Sequence, residues 1–356
     1  MMEISTYNSR KITALNMLLI ILVLVLHSYY VEANNFPIAN AMQEFVGTNG
    51  LTGVAVPMFF LLSGILFFKG VDSVKDCLPK IRKRVRSLLV PYVIWNLIFV
   101  LWYLILQNLP GVVSYINNDV VGEVCSHNIA TDLYNLFWKP INFPLWFLRD
   151  LLIMVAISPV LYCLLKYLKW GAPLLVLLVS PYVNLYVSPF FLLGGCIAIH
   201  SNLEKIDSKL VGGGIITMAM FIYIGNGITQ IFIDYNHSYV SFIVYLCGVI
   251  SIWRLYDLIY ICSVKKPVFL NRILGYSFFI YLFHEPLFNM IKKVNLRILG
   301  EHEWSLILLY FMNPIIMCVL SVVVAKLIQK FIPKTYSVLV GGRSLPNQTD
   351  NNCKID

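Results

Sequence analysis

Long apolar runs separated by short basic clusters recur along the whole chain of 356 residues. A helix needs about 20 consecutive apolar residues to cross the hydrocarbon core of a bilayer, and several runs reach that length. Apolar residues make up 59% of the chain and charged residues only 13%, about half of what a soluble domain carries. A soluble core of this size cannot hold so many apolar side chains. The sequence therefore predicts an all-α integral membrane protein and excludes an ordinary soluble enzyme.

Ten of these runs predict transmembrane helices that form one bundle, with both chain termini in the cytoplasm. The sixth run is short, so a kinked or re-entrant segment is an alternative there. The first run is too long for a secretory signal peptide, and no small-residue cleavage site follows it, which favours a retained signal-anchor. We expect a membrane domain over residues 1–332 and a short, loose, polar cytoplasmic tail over residues 333–356. The ten runs are 12–31, 51–68, 88–107, 144–168, 171–187, 189–200, 211–232, 238–260, 273–291 and 304–331.

The positions of the basic residues set the predicted orientation. The formal net charge is +9, but the 27 Lys and Arg residues lie in clusters between the apolar runs. This pattern marks the cytoplasmic side of a membrane protein and does not indicate nucleic-acid binding. With ten alternating spans and the N-terminus inside, 22 of the 27 basic residues lie in cytoplasmic segments and four lie outside. The asymmetry favours an even number of spans.

One histidine lies deep in the first apolar run. Ionisable groups are costly in hydrocarbon, so such a residue indicates either a function or a specific structural partner. His27 is the only ionisable side chain of that run after Lys11. Because histidine titrates near neutral pH, His27 is a candidate general base. Its neighbours Tyr29 and Tyr30 are typical of an aromatic belt, so an interfacial histidine is the alternative.

Two later runs carry adjacent ionisable residues. Arg149 and Asp150 lie in the fourth run, where helix geometry points them about 100° apart, so they need not pair with each other. His284 and Glu285 lie in the ninth run before Pro286, which loosens a helix at that point. The alternative for this pair is a structural histidine–carboxylate contact at a kink. Helix rise places these groups and the first-run histidine in the middle-to-outer part of the membrane, which predicts a polar cavity open to the outside.

The loop after the second run holds a dense basic cluster, which contains Arg82, Lys83, Arg84 and Arg86. Arg82 and Arg86 are four residues apart and share a helix face. A guanidinium group binds phosphate oxygens through two parallel hydrogen bonds, so the cluster predicts a phosphate site. The alternative is a plain anchor attracted to anionic lipid.

Five segments together resemble the membrane-bound acyltransferase family 3, which includes O-acetyltransferases of bacterial surface polysaccharides. The resemblance runs from the first span to about residue 331. Each segment is weak singly, but five in the same order on matching spans are specific. They are His27 at the end of the first span, residues 56–67 around Ser63, and residues 82–92, 144–150 and 280–287.

The resemblance implies transfer of an acyl group, most often acetyl, from acyl-CoA to a hydroxyl of a cell-surface glycan or its lipid-linked precursor. It implies that His27 is catalytic, either as a base or as a covalent acyl carrier. It also implies a multi-pass protein of a bacterial cell membrane that uses acetyl-CoA as co-substrate and holds no permanent cofactor or metal. Candidates for the transition-state or acceptor site are Trp146, Arg149, Asp150, His284, Glu285 and Ser63, and candidates for acyl-CoA binding are Arg82, Arg84 and Arg86.

Two alternatives stay open at this point. Another short acyl group, such as succinyl, is the alternative within enzymes. A transporter of a lipid-linked sugar or acyl donor is the alternative outside enzymes, because buried charges and a kinked span suit transporters as well.

The chain departs from the family at one position. The family commonly has an arginine eleven residues before the histidine, and this chain has Asn16 there. Either Arg10 or Lys11 substitutes from further back, or another cation does so.

Overall fold

The computed structural model describes residues 4–47, 50–109, 122, 128–179, 182, 185–209, 213–232, 238–262, 274–285 and 287–343. All regular elements in these ranges are helical. We number the α-helices in chain order. They are α1 Thr6–His27, α2 Pro37–Val46, α3 Ala55–Phe68, α4 Val74–Arg84, α5 Val90–Gln107, α6 Ile129–Leu133, α7 Trp146–Ala156, α8 Ser158–Leu168, α9 Gly171–Val179, α10 Ser188–His200, α11 Leu203–Lys209, α12 Gly213–Phe232, α13 Ser238–Cys262, α14 Ser277–Phe283, α15 Leu287–Leu299, α16 Glu303–Phe331 and α17 Pro333–Leu339.

Five helices within the described ranges are long and apolar enough to cross a membrane. They are α1, the joined α4 and α5, α12, α13 and α16, and the joined pair runs through a wider turn at Val85–Leu89. A bent pair, α7 and α8, makes a sixth if it counts as one span. The predicted all-α membrane protein is therefore supported at this level, whereas the count of ten spans is not confirmed.

The fourth predicted span is broken. Helix α7 ends at Ala156, and α8 starts at Ser158 after a bend of 67°. Pro159 at the start of α8 has no backbone N–H and clashes with the preceding turn of a continuous helix. The predicted span over residues 144–168 therefore consists of two helices, which together are long and apolar enough for one broken span.

The ninth predicted span is also interrupted. Helix α14 ends at Phe283, and α15 begins at Leu287, so His284 and Glu285 lie in the break. The amide of His284 still donates to Ile280 O at 3.1 Å, and the amide of Phe288 donates to His284 O at 2.8 Å. The loosening predicted at this point is confirmed, although Pro286 itself lies outside the described residues. The break places two ionisable side chains on irregular backbone inside the bundle.

Two short apolar helices, α3 and α10, pack closely at glycine residues. Helix α3 has 14 residues and α10 has 13, so each is roughly 20 Å long. A Cβ atom on Gly64 would lie 2.0 Å from Phe191 O, and one on Gly194 would lie 2.1 Å from Leu61 O. Such backbone approach is how helices associate in lipid, where no hydrophobic effect draws them together.

The amino-terminal end of α1 is held by a buried ionic network. Lys11 is fully buried, and its Nζ lies 2.7 Å from Asp257 Oδ1 and 3.1 Å from Asp207 Oδ1. Its ammonium group also lies 4.1 Å from the centroid of the Trp253 ring. A buried lysine needs such partners, because an unpaired charge there is costly. The network fixes the helix that carries His27.

The predicted loose tail begins as an ordered helix. In α17 the side chains of Tyr336 and Leu339 are buried, and the indole of Trp95 donates to Leu339 O at 3.1 Å. The Tyr336 ring lies 5.7 Å from that of Phe279 in α14. The expectation of a loose segment from residue 333 was therefore wrong for residues 333–343, because apolar side chains among the polar ones pack on the bundle. Residues 344–356 lie outside the described residues.

Candidate functional site

Two of the histidines within predicted spans, His27 and His284, meet in the structure. His27 is the last residue of α1, and His284 is the first residue of the break after α14. Their ring centroids lie 5.2 Å apart, and the ring planes are inclined by 47°. The sequence predicted that both would lie at similar depth, and the fold brings them into contact.

One ring nitrogen of His284 has a defined role. Nδ1 lies 2.7 Å from Tyr281 O, and a carbonyl oxygen only accepts hydrogen bonds, so Nδ1 carries the proton. In a neutral ring, Nε2 is then an acceptor, and it is buried without a hydrogen-bond partner among the described residues. The hydroxyl of Tyr281 in turn donates to Pro144 O at 2.7 Å, which holds the end of α14 against the segment before α7. His284 therefore places a fixed acceptor nitrogen beside the His27 ring.

A cavity of about 410 Å³ opens beside this pair. Its size is that of a small-molecule site. Its wall combines apolar and aromatic side chains with a few polar groups from α1, α5, α15 and the segment before α7. The lining residues are Leu26, His27, Tyr29, Phe99, Tyr103, Ile141, Phe143, Pro144, Glu285, Asn289 and Lys292.

Three polar residues of this cavity follow one helix face. Glu285, Asn289 and Lys292 are spaced by four and three residues, so they project from the same side of α15 and the turn before it. Asn289 Nδ2 donates to Glu285 Oε2 at 2.8 Å. Sequence reasoning found Glu285 but missed Asn289 and Lys292. The same spacing on the printed sequence was the signal that could have found them.

Lys292 binds the carboxyl end of α1. Its Nζ donates to His27 O at 2.9 Å and to Tyr29 O at 2.6 Å. The last carbonyls of a helix have no partner within the helix, and a cation there also complements the helix dipole. Lys292 therefore fixes the backbone of His27 and places a positive charge at the cavity wall.

The residues that follow α1 form a supporting turn. Tyr30 is buried, and its hydroxyl accepts from Asn313 Nδ2 at 2.6 Å, so it is not part of an aromatic belt. Tyr29 lines the cavity, and its hydroxyl donates to Asn34 Oδ1 at 2.9 Å.

Four of the predicted acceptor-site residues lie away from the cavity. The sequence left open whether Arg149 and Asp150 pair, and in the structure they do, with Arg149 Nη2 2.7 Å from Asp150 Oδ1. The angle between adjacent residues does not prevent this, because the long arginine side chain folds back to its neighbour. Arg149 also donates to Trp138 O. Trp146 and Ser63 are not among the residues that line the cavity, and the wall near α7 is formed by Ile141, Phe143 and Pro144.

The three predicted phosphate-binding arginines differ in their exposure to solvent. Arg82 and Arg86 are exposed, whereas Arg84 is half-buried. Arg84 is the last residue of α4, and Arg86 lies in the wider turn that follows.

The cation beside His27 is Lys292. Lys11 is sixteen residues before His27 on the same helix, so roughly 24 Å away along its axis, and its charge is paired with acidic residues. Arg10 is exposed at that same end. Arg10 and Lys11 therefore supply no cation near His27. Lys292 does so, because its Nζ donates to the backbone carbonyl of His27.

Comparisons with known proteins place the cavity-lining residues within an acyltransferase domain. A family model described as an acyltransferase domain matches residues 10–329, a range that includes the whole cavity wall. ExoH, a succinoglycan biosynthesis protein of Rhizobium meliloti, is 25% identical over 327 residues, which are 87% of this chain and 84% of that protein. No solved structure matches the chain.

Proposed function

The chain belongs to the membrane-bound acyltransferase family 3, and we propose that it moves an acetyl group from coenzyme A to a hydroxyl of a cell-surface polysaccharide or its lipid-linked precursor. Family membership makes the chain an acyltransferase, which sets aside the transporter that its buried charges would also suit. The similarity to ExoH, a succinoglycan biosynthesis protein, supports a glycan acceptor.

The contact between His27 and His284 at the cavity is the observation that carries this proposal. A sugar hydroxyl is a poor nucleophile until a base takes its proton, and a neutral imidazole is suited to that step. His27 faces the cavity, and His284 supplies an acceptor nitrogen beside it. We assign His27 as the general base and His284 as its positioning residue.

The proposed reaction balances without a further reagent. His27 takes the proton of the acceptor hydroxyl while the oxygen attacks the carbonyl carbon of the thioester. The tetrahedral intermediate carries its negative charge on the former carbonyl oxygen. Its collapse breaks the carbon–sulfur bond and forms the ester, and the leaving thiolate takes the proton back from His27.

Lys292 and Asn289 are the candidates for stabilising the oxyanion. Both line the cavity that His27 faces, and both carry N–H donors. Preorganised donors at the developing charge are usually the largest single contribution to such catalysis. Glu285 accepts from Asn289 and so holds its amide in place.

We also propose ten spans with both termini in the cytoplasm of a bacterial cell. The excess of basic residues in the segments assigned to the inside supports this orientation. The bent pair and the short apolar helices α3 and α10 would raise the count from five to eight, and the predicted spans over residues 171–187 and 273–291 would complete ten. The close contact of α3 and α10 at Gly64 and Gly194 supports a shared position within the bundle.

The test is transfer by the purified chain in lipid nanodiscs. Acetyl-CoA with a bacterial surface glycan should release free coenzyme A thiol and add the mass of one acetyl group to the glycan. Acetyl-CoA without glycan is the control for simple hydrolysis. An added mass equal to succinyl, with succinyl-CoA as donor, would correct the acyl group, and absence of both products would contradict the proposed function.

A further inference from the structure

Arg343, beyond the residues that the family model matches, folds back onto the inner end of the bundle. Gly341 and Gly342 both have positive φ, of 66° and 73°, and they turn the chain after α17. A Cβ on Gly341 would lie 2.3 Å from Ser87 O, so only glycine fits this close return. Arg343 Nη1 then donates to Ser87 O at 3.0 Å and to Val340 O at 2.9 Å.

The contact with Ser87 has a cause in the sequence. Four residues after Ser87 comes Pro91, which has no N–H to donate to Ser87 O in the α-helical pattern. Arg343 supplies a donor to this carbonyl. Its guanidinium carbon also lies 3.5 Å from the centroid of the Phe278 ring in α14. The side chain is therefore held by three contacts that all use one nitrogen and one face of the guanidinium group.

Two cations meet here without an anion. Arg84 lies three residues before Ser87, and both Arg84 and Arg343 are half-buried. Burial, together with the positive charge of Arg84, lowers the pKa of Arg343 to about 10. Within the described part of the chain, neither guanidinium forms an ion pair with a carboxylate. The Nε and Nη2 donors of Arg343 likewise make no hydrogen bond to those residues.

We propose that Arg84 and Arg343 bind the phosphate groups of the coenzyme A donor. This inference rests on the proposed function. Guanidinium groups match phosphate geometry through parallel N–H donors, and a buried pair of like charges gains most from an anion placed between them. A lipid headgroup offers the same chemical group, so the experiment has to separate the two sources.

Helix α14 connects the proposed phosphate site at Arg343 to the histidine pair at the cavity. Phe278, under Arg343, is near the start of this helix, and His284 follows its end. Six residues separate them, which is roughly 9 Å of helix. Coenzyme A carries its phosphates and its thioester at opposite ends of a flexible pantetheine arm. The arm can therefore connect the arginine pair to the histidine pair along this helix.

An acyl donor without phosphates distinguishes phosphate binding by the arginine pair from a purely structural role in the fold. The full chain in nanodiscs is tested with acetyl-CoA and with acetyl-pantetheine, as wild type and as the double variant Arg84→Lys, Arg343→Lys. Lysine keeps the charge and removes the planar fork. We expect KM for acetyl-CoA to rise about tenfold or more, with acetyl-pantetheine kinetics unchanged. The matched control is Lys83→Gln, an exposed cation beside Arg84, which should leave both donors unchanged.

Several outcomes overturn the inference. Equal loss with both donors would leave only the contact with Ser87, and no loss with either would exclude a phosphate site. An effect that follows the fraction of anionic lipid and not the donor would assign the pair to a headgroup. If the wild type transferred from neither donor, the proposed function would fail, and binding of coenzyme A alone would decide the inference: tenfold weaker binding by the variant supports it and equal binding overturns it.

Discussion

The imidazole rings of His27 and His284 lie 5.2 Å apart, although they come from the first and the penultimate long apolar runs of the chain. His27 faces a cavity, whereas His284 is fully buried with Nδ1 bound to Tyr281 O. The His27 ring is thus placed to meet a substrate, and the His284 ring is placed to hold the His27 ring in position.

We expect His284→Asn to slow acyl transfer about 10²-fold through kcat, with the donor KM unchanged. Asparagine keeps a side-chain N–H for Tyr281 O but removes the ring that packs on His27, and a small misplacement of a base has an effect of this size. Steady-state kinetics of the purified protein measure it. The matched control is His200→Asn, since His200 also contacts a backbone carbonyl, that of Leu165, but lies elsewhere. Similar losses in both variants would contradict the positioning role.

Lys292→Met should reduce transfer about tenfold or more. The variant keeps the length of the side chain but removes two hydrogen bonds from a charged donor to His27 O and Tyr29 O, each of which contributes roughly 1.5–3 kcal/mol. Lys293→Met is the control, because Lys293 is the exposed neighbour. Activity assays beside thermal melts distinguish the two lysines, and an equal effect on activity would argue against a special role for Lys292.

The histidine pair shows how far the sequence predicts this site. Apolar runs and helix rise were enough to place His27 and His284 at similar depth, and Pro286 was enough to predict a break beside His284. Which spans are neighbours depends on packing between residues far apart in the chain, and no single run contains that information. For this reason Arg149 was expected near the cavity but is paired with Asp150, and Lys292, which holds the end of α1, was not among the predicted site residues.

The sequence predicted the all-α class of the fold, but it did not predict where individual helices bend or end. The apolar runs predicted helices where the structure has them, but a run does not reveal where a helix bends. Residues 144–168 read as one span, yet the helices meet at 67° before Pro159. The segment from residue 333 was predicted to be a loose tail because it is polar on average. In the structure its residues 333–339 form a helix that packs on the bundle through Tyr336 and Leu339.

Gly64→Ala should destabilise the protein by about 1–3 kcal/mol, since the added methyl group would lie 2.0 Å from Phe191 O on the facing helix. The control is Gly225→Ala in α12, where no described residue outside the local helix backbone comes within 4 Å of the added carbon, and the better helix propensity of alanine should leave stability equal or slightly higher. Thermal melts in detergent compare the two. Equal melting temperatures would contradict the close contact of α3 and α10.

A reporter that is active only outside the cytoplasm, fused to the carboxyl terminus, should give no signal. The excess of basic residues in the assigned inside segments is the reason for this expectation. A fusion after residue 139, in a segment assigned to the outside, is the positive control. A strong signal from the carboxyl-terminal fusion would indicate an odd number of spans, with α10 as the segment to re-examine, since its 13 residues are too few to cross alone.

The most direct test of the account is acetyl transfer from labelled acetyl-CoA to glycan by His27→Asn, measured on protein that inserts at wild-type levels. Asparagine keeps hydrogen bonding but cannot take a proton near neutral pH. A general base contributes about 10² to 10⁴-fold, so transfer should fall by that factor while the melting temperature stays near that of the wild type. Near-normal transfer by His27→Asn would contradict the assignment of His27 as the base and, with it, the proposed mechanism.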